Sequence, residues 1–132
     1  KVDATEEKIY GLDRIDFGRR VYVVEGPIDS LFLPNAIAVS GSSFDTPTIR
    51  QLLTNATIVM DNEPRNKEIV GRIEKAIEKG YKIALWPSHI QQKDVNDMVL
   101  SGLSSEFIKH IIDTNTYKDL SAKLALTRWS KV

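Results

Sequence analysis

Four short apolar runs with no polar alternation constrain the fold of this chain most strongly. The runs cover residues 21–24, 36–39, 57–60 and 82–86. A strand that is buried on one face alternates apolar and polar residues, whereas a strand buried on both faces does not. The four runs therefore predict strands of a parallel sheet that is covered on both sides.

Helical signals separate these runs. The clearest helix is predicted over residues 66–79, where Ile69, Ile73 and Ile77 recur at helical spacing and Gly80 suits the position just after the helix. Shorter helices are predicted over residues 27–31, from Asp45 or Thr46 to 53, and over 94–100, 104–113 and 118–128. Strands that alternate with helices indicate an α/β fold with right-handed crossovers.

Composition narrows the class of protein. At 132 residues the chain is one domain, and its 18 basic and 18 acidic residues cancel, so net charge predicts neither tight nucleic-acid binding nor a membrane partner. The absence of cysteine excludes disulfides, a cysteine-ligated zinc site and a thiol nucleophile, and it fits a reducing compartment. No apolar run approaches the roughly 20 residues of a membrane span. The start at Lys1 rather than Met suggests a domain excised from something longer.

Acidic residues follow three of the predicted strands. Glu25 follows the first strand, Asp61 and Glu63 follow the third, and Asp94 comes after the fourth. Because the carboxyl ends of parallel strands share one edge of a sheet, we expect these side chains to meet there. Clustered like charges are costly unless a cation neutralises them, and Mg²⁺ prefers oxygen ligands. The sequence therefore predicts a magnesium site.

Each acid also has a structural interpretation, which the sequence leaves open. Glu25 can be a surface carboxylate, and Asp29, a second acid in the same turn, can cap or stabilise the short helix there. Asp61 or Asn66 can accept backbone N–H bonds at the start of the long helix, and Asp94 is a good N-cap for the next one.

Basic residues beside the acids are candidate phosphate contacts. Arg65 and Lys67 follow the third strand, and Lys93 precedes Asp94. Bases can meet phosphate oxygens while acids hold the metal ion. The small residues at 40–43 could form an anion-binding loop, but they lack the spacing of a specific phosphate loop.

The remaining aromatic and histidine residues carry weaker signals. Trp86 ends an apolar run and is predicted to lie in the core rather than to stack on bases. Trp129 is either a packing anchor or an exposed contact for a partner. His89 and His110 stand alone and are predicted to be surface or structural residues.

Taken together, these motifs resemble the Toprim domain, a metal-binding catalytic domain of bacterial-type primases, type IA and type II topoisomerases and some nucleases. The pattern consists of Glu25 and Gly26, then Asp61 and Glu63, then Lys93 with Asp94. The segments that look most like primases are residues 21–30 and 93–97, and those that look like primase subunits of tailed bacteriophages are 9–13 and 61–66.

The resemblance implies a four-stranded parallel sheet flanked by helices, with extra helices at the C-terminal end. It divides the chain into a lead-in segment at residues 1–18, a Toprim-like catalytic domain at 19–103 and a helical extension at 104–132.

The resemblance also implies a function: metal-dependent synthesis of short RNA primers on single-stranded DNA for DNA replication. By position, Glu25, Asp61 and Glu63 would be catalytic, and these three with Asp94 would hold Mg²⁺, for which Mn²⁺ can substitute. The implied partners are a single-stranded DNA template, nucleoside triphosphates and a replicative helicase. The implied location is the cytoplasm of a bacterium or a phage-infected host cell.

The chain departs from the Toprim pattern at Glu63, where the family usually has aspartate. The sequence contains no recognisable zinc-binding module and no recognisable basic segment that would grip the template. Whether the isolated fragment is active is therefore left open. The alternatives are a Toprim nuclease or topoisomerase-related domain, and a receiver domain with Asp61 as phosphoacceptor. A non-catalytic alternative makes the C-terminal helices a docking module for another replisome protein.

Overall fold

A computed structural model describes residues 9–39, 46–52 and 54–132. The strands are β1 (Ile9–Tyr10), β2 (Val21–Val24), β3 (Ala36–Val39), β4 (Ala56–Val59), β5 (Lys82–Ala84) and β6 (Thr116–Tyr117). The helices are α1 (Pro27–Ser30), α2 (Pro47–Gln51), α3 (Lys67–Glu78), α4 (Val95–Leu100), α5 (Ser105–Thr114) and α6 (Asp119–Trp129). A single 3₁₀ turn at Leu12–Arg14 follows β1 in the described part of the chain. The predicted loop at 40–43 and the alternative cap Asp45 lie outside the described residues.

All six strands form one sheet in the order β1-β3-β2-β4-β5-β6. The four central strands are mutually parallel, which confirms the mixed α/β fold predicted from the sequence. The two edge strands run antiparallel to their neighbours, and they were not predicted. Each is two residues long, which is too short to display a periodic pattern.

The connections after β2 and β4 leave the sheet in opposite directions. The chain passes from β2 through α1 to β3 on one side, and from β4 through α3 to β5 on the other. The strand order therefore reverses between β2 and β4. In open α/β sheets such a reversal leaves a crevice at the carboxyl ends of the strands, and ligands bind there.

Apolar side chains cover both faces of the sheet. One core packs β-strand residues against α2, α3 and α6, and the other packs them against α4 and α5. Neighbouring residues of β2 show the division, since Val23 belongs to the first core and Val24 to the second. Burial on both faces is the reason why these strands contain no alternating polar residues.

Local capping sets the helix boundaries. The hydroxyl of Thr46 accepts the N–H of Ile49 at 3.3 Å, and the Asn66 side chain accepts the N–H groups of Glu68 and Ile69 at 2.9 and 3.2 Å. Gly80 ends the long helix with a φ of 92°, a left-handed conformation that glycine adopts without strain.

The predicted division of the chain at residues 18 and 103 stays a prediction. The structure shows that Ile108 of α5 lies in one core and Leu126 of α6 in the other, and that β1 belongs to the common sheet. Among the described residues, none of the helices has the length and apolar character needed to cross a membrane.

A cluster around Asp113 fastens α5 to the start of β2. One carboxylate oxygen of Asp113 accepts hydrogen bonds from Arg20 and from the Tyr22 hydroxyl, both at 2.6 Å, and the other accepts one from Lys109 at 2.8 Å. Partial burial acts to raise the pKa of Asp113, but the bonds from Lys109, Tyr22 and Arg20 outweigh it and lower the pKa.

We expect Asp113→Asn to lower the free energy of unfolding by about 1–2 kcal/mol at pH 7, because a charged acceptor of three bonds is lost from a partly exposed site. Since the folded-state pKa is lowered, this contribution is present above the unfolded pKa and disappears as pH falls through the folded one. Urea unfolding at pH 7 and pH 3 measures the difference, which should shrink at pH 3. Asp13→Asn, in the exposed 3₁₀ turn, is the control, and equal midpoints for Asp113→Asn and wild type at pH 7 would contradict the prediction.

Candidate functional site

Three aspartates meet at the carboxyl edge of the sheet. Asp29 lies in α1, Asp61 lies just beyond β4, and Asp94 is the N-cap of α4. One carboxylate oxygen from each of the three lies within 4.8 Å of the other two. Three separate connections therefore deliver like charges to one point, next to the crevice between β2 and β4.

Asp94 has two roles in the structure. Its Oδ1 accepts the N–H of Asp97 at 2.8 Å, so it caps α4 as its sequence context predicts. It also belongs to the aspartate group. The structural and the site interpretations of this residue are compatible.

The capping interpretation does not hold for Asp61. Asn66 is the residue that caps α3, and its side chain takes the N–H groups of Glu68 and Ile69. Asp61 is five residues earlier, in the turn at the end of β4. Its carboxylate therefore faces the other aspartates with no capping role at α3.

Asp29 is a residue whose place in the site was not predicted. It is only 7% exposed, and its Oδ1 accepts the N–H of Asn96 in α4 at 2.8 Å rather than capping its own helix. A signal was available in the sequence: Gly26 and Pro27 start a helix directly after β2, and that helix brings residue 29 back to the sheet edge.

Glu25 is held by Arg72, and one of its oxygens has no partner. Oε2 accepts a hydrogen bond from the Arg72 guanidinium at 2.8 Å, and Arg72 also pairs with Glu68 at 2.8 Å. Oε1 is buried without a hydrogen-bond partner. The backbone N–H of Asp61 also acts on this carboxylate and opposes the rise in its pKa. Arg72 is 47 residues from Glu25, so no local pattern could have connected the two.

The other predicted site residues lie around this group rather than in it. Glu63 is not one of the three clustered acids, but its charge acts on both Glu25 and Asp61. Arg65 is exposed and lines a neighbouring cleft. Lys67 is the exposed first residue of α3, and Lys93 is exposed in the loop before α4.

Asn62 ties together the two turns that carry Asp61 and Asp94. Its backbone N–H donates to the carbonyl of Lys93. Its side-chain amide donates to the carbonyls of Ile90 and Gln92 at 2.9 and 3.1 Å. These bonds hold the turn after β4 against the loop before α4, so the distance between the two aspartates is fixed by the fold.

Burial and mutual repulsion perturb the acids. Burial raises the pKa of Glu25, against the opposing effect of Arg72, and burial also raises the pKa of Asp29. Burial, followed by the charges of Glu25, Asp29, Asp94 and Glu63, raises the pKa of Asp61 to about 7. Desolvated carboxylates with raised pKa values are typical of functional sites.

The donor set fits a hard divalent cation. It consists of carboxylate oxygens from Asp29, Asp61 and Asp94, with the unpartnered Oε1 of Glu25 as a further buried oxygen at the same edge. Mg²⁺ binds oxygen ligands of this kind, and one such ion would relieve the repulsion that raises the pKa values.

Comparison with known proteins adds one relationship. No protein-family model matches the chain. Over 127 residues, 95% of its length, the chain is 38% identical to the DNA primase of Enterobacteria phage T4. The aligned region is 36% of that primase, so the chain spans about a third of the length of this relative. The chain is therefore related in sequence to a phage DNA primase.

We expect Asp61→Asn to stabilise the protein when metal is removed by a chelator at pH 8. The folded-state pKa of Asp61 is raised from 3.8 to about 7, so its contribution to stability is present below pH 3.8 and is lost as pH rises through about 7. The neutral amide escapes this loss. The gain should be about 1–2 kcal/mol, after allowance for solvent screening at this half-exposed edge.

Thermal unfolding in chelator between pH 4 and pH 8.5 measures this effect. The variant and the wild type should differ least at pH 4, and their difference should grow until about pH 7 and then stay constant. Asp13→Asn, at the opposite edge of the sheet, should follow the wild type. An Asp61→Asn protein that melts below the wild type at pH 8 would show that Asp61 is not destabilised by its surroundings.

Proposed function

We propose that this chain is the Toprim-type catalytic domain of a DNA primase, which joins ribonucleotides into short primers on single-stranded DNA. Two findings support the proposal: the relation to a phage DNA primase over 95% of the chain, and the aspartate group at the strand-order reversal. The second is the observation that carries the catalytic part, because nucleotidyl transfer needs a place where divalent cations can be held.

Asp29, Asp61 and Asp94, with Glu25, are the residues that would hold the metal. When bound, Mg²⁺ would favour the deprotonated primer 3′-hydroxyl and neutralise the triphosphate charge. Glu63 is not one of the clustered aspartates, but its charge acts on Glu25 and Asp61, so it would add to the negative field that attracts the metal. Mn²⁺ has the same ligand preference and could substitute.

Neighbouring residues would keep the acids in position. Arg72 fixes the orientation of Glu25, and Asn62 fixes the turn that carries Asp61. The N–H of Asn96 fixes Asp29. Preorganised charges of this kind lower the reorganisation that a reaction requires.

The exposed cations Arg65, Lys67 and Lys93 lie within about six residues of Asp61 or Asp94 along the chain and are suited to phosphate oxygens. Nucleoside triphosphates and a single-stranded DNA template would be the substrates on this proposal. A replicative helicase would be the protein partner, with residues 104–132 as the helical extension of a catalytic domain at 19–103.

The metal-binding part of the proposal predicts that Mn²⁺ and Mg²⁺ raise the melting temperature of the chain, since a ligand that binds only the folded state stabilises it. We expect Asp61→Asn to weaken Mn²⁺ binding by at least about tenfold in calorimetric titration. Asp13→Asn is the matched control and should bind like wild type. Equal Mn²⁺ affinity for wild type and Asp61→Asn would contradict the assignment of the site.

The catalytic part predicts activity in a graft. The phage T4 primase, with its matching third replaced by this chain, should extend primers on single-stranded DNA with Mg²⁺ and ribonucleotides. The same graft with Asp61→Asn should lose about a hundredfold or more of its rate, because transition-state stabilisation by the metal is lost, and the graft with Asp13→Asn should not. Metal-dependent cutting of DNA without nucleotides, and no primer synthesis, would contradict the proposal.

A further inference from the structure

A cleft of about 880 Å³ opens beside the acidic edge. Its walls are the turn after β4, the loop after β5, the segment 115–117 that contains β6, and the end of α6 with the residues just after it. The side chains that carry the inference are Arg65, Arg128 and Lys131 with Tyr117 and Trp129. A volume of this size accommodates a ligand of one or a few nucleotides, since small-molecule sites occupy roughly 300–1,000 Å³.

The charged side chains that line the cleft are all cationic. Arg65, Arg128 and Lys131 line it, and no acidic side chain is among the lining residues. Within the described part of the chain, no carboxylate lies at ion-pair distance from these three cations, whereas Arg20 and Arg72 pair with Asp113 and Glu25. In a chain with 18 basic and 18 acidic residues, such a local excess of unneutralised cations favours an anionic ligand.

Two aromatic side chains provide flat surfaces in the same cleft. Tyr117 and Trp129 are half-buried and pack against the core that contains α3 and α6. Their positions are therefore fixed by packing, while part of each side chain stays accessible from the cleft. Unpaired bases stack on aromatic side chains, and this stacking tolerates any base sequence.

The walls of the cleft are bonded to one another. The N–H of Lys131 donates to the carbonyl of Pro64 at 2.8 Å, which joins the segment after α6 to the turn after β4. The N–H of Leu85 donates to the carbonyl of Asn115 at 3.0 Å, which joins the loop after β5 to the start of β6. A preformed cleft loses less entropy when a ligand binds.

The cleft adjoins the turn that carries Asp61. Arg65 is four residues after Asp61 in the same turn, and Asn62, which holds Asp61 near Asp94, also lines the cleft. A strand bound here would therefore lie next to the turn that carries Asp61. An acidic peptide would match the cations, but it would leave the aromatic side chains and the nearby metal-binding acids unexplained.

We propose that this cleft binds single-stranded nucleic acid, with backbone phosphates at Arg65, Arg128 and Lys131 and bases stacked on Tyr117 and Trp129. The proposal depends on the proposed function in one respect, namely whether the bound strand is the template or the primer. Strand binding itself needs no metal, so it is measured in chelator and does not depend on the aspartates.

The experiment measures binding of a fluorescein-labelled dT12 oligonucleotide to the 132-residue chain by anisotropy in chelator. The Arg128→Ala/Lys131→Ala variant should bind at least about tenfold more weakly. Its slope of log affinity against log salt should be shallower by about 1.4, because two phosphate contacts contribute roughly 0.7 each on a single strand. The charge-matched control, Lys75→Ala/Lys123→Ala, removes two exposed cations away from the cleft and should keep the wild-type slope.

Trp129 supplies a second readout. The chain has two tryptophans. Trp86 also lines the cleft, but it is only 4% exposed and its indole N–H donates to the carbonyl of Met60 at 2.9 Å. Oligonucleotide should therefore quench the emission of Trp129, and Trp129→Phe should abolish most of the quenching while keeping most of the affinity. Trp129→Ala should lose about five- to a hundredfold in affinity. Circular dichroism checks that this variant is folded.

Three outcomes would overturn the cleft assignment. The first is equal affinity and equal salt slope for the Arg128→Ala/Lys131→Ala variant and its control. The second is that ATP binds as tightly as dT12 and is weakened to the same extent by Arg128→Ala/Lys131→Ala and by Trp129→Ala. That result would make the ligand a mononucleotide. The third is an acidic peptide of matched charge that binds as tightly as dT12. If Asp61→Asn loses Mn²⁺ binding but keeps strand binding, the assignment of the cleft is supported independently of the metal site. The catalytic proposal is then decided by the graft experiment alone.

Discussion

The parallel pairing of β2 with β4 is the constraint on which the rest of the structure depends. Tyr22 pairs with Thr57 and Val23 with Ile58, so the two strands end side by side. Their connections then leave in opposite directions. Glu25 and Asp61 are carried to the same edge by this register, and Asp29 of α1 and Asp94, the N-cap of α4, join them there.

Such a concentration of like charge must be compensated within the fold. Arg72 compensates one oxygen of Glu25, and backbone N–H groups at the start of α4 compensate Asp29 and Asp94. The remaining imbalance appears as raised pKa values and a buried oxygen with no partner. The acidic edge is therefore destabilising, and burial in the two apolar cores offsets this cost. Local destabilisation of this kind is common at binding sites.

The sequence was sufficient to predict the strands and helix starts that depend on local residue patterns. Unalternating runs gave the four central strands, and the capping residues Thr46, Asn66 and Asp94 gave helix starts. It was insufficient for features that depend on pairing between distant segments. β1 and β6 are two residues long and exist because a neighbouring strand edge is free, and Arg72 reaches Glu25 only after α3 has packed on the sheet.

Net charge is the quantity on which the sequence was least informative. Equal numbers of acids and bases predicted no preference for a polyanion, yet the fold separates the two signs in space. The turn that begins at Asp61 contributes an acid to one side and Arg65 to the other, while α6 brings Arg128 to the same cleft. An acidic edge and a cationic cleft that share one turn can position an anionic strand and a metal ion next to each other. A uniformly charged surface of either sign would attract one of them and repel the other.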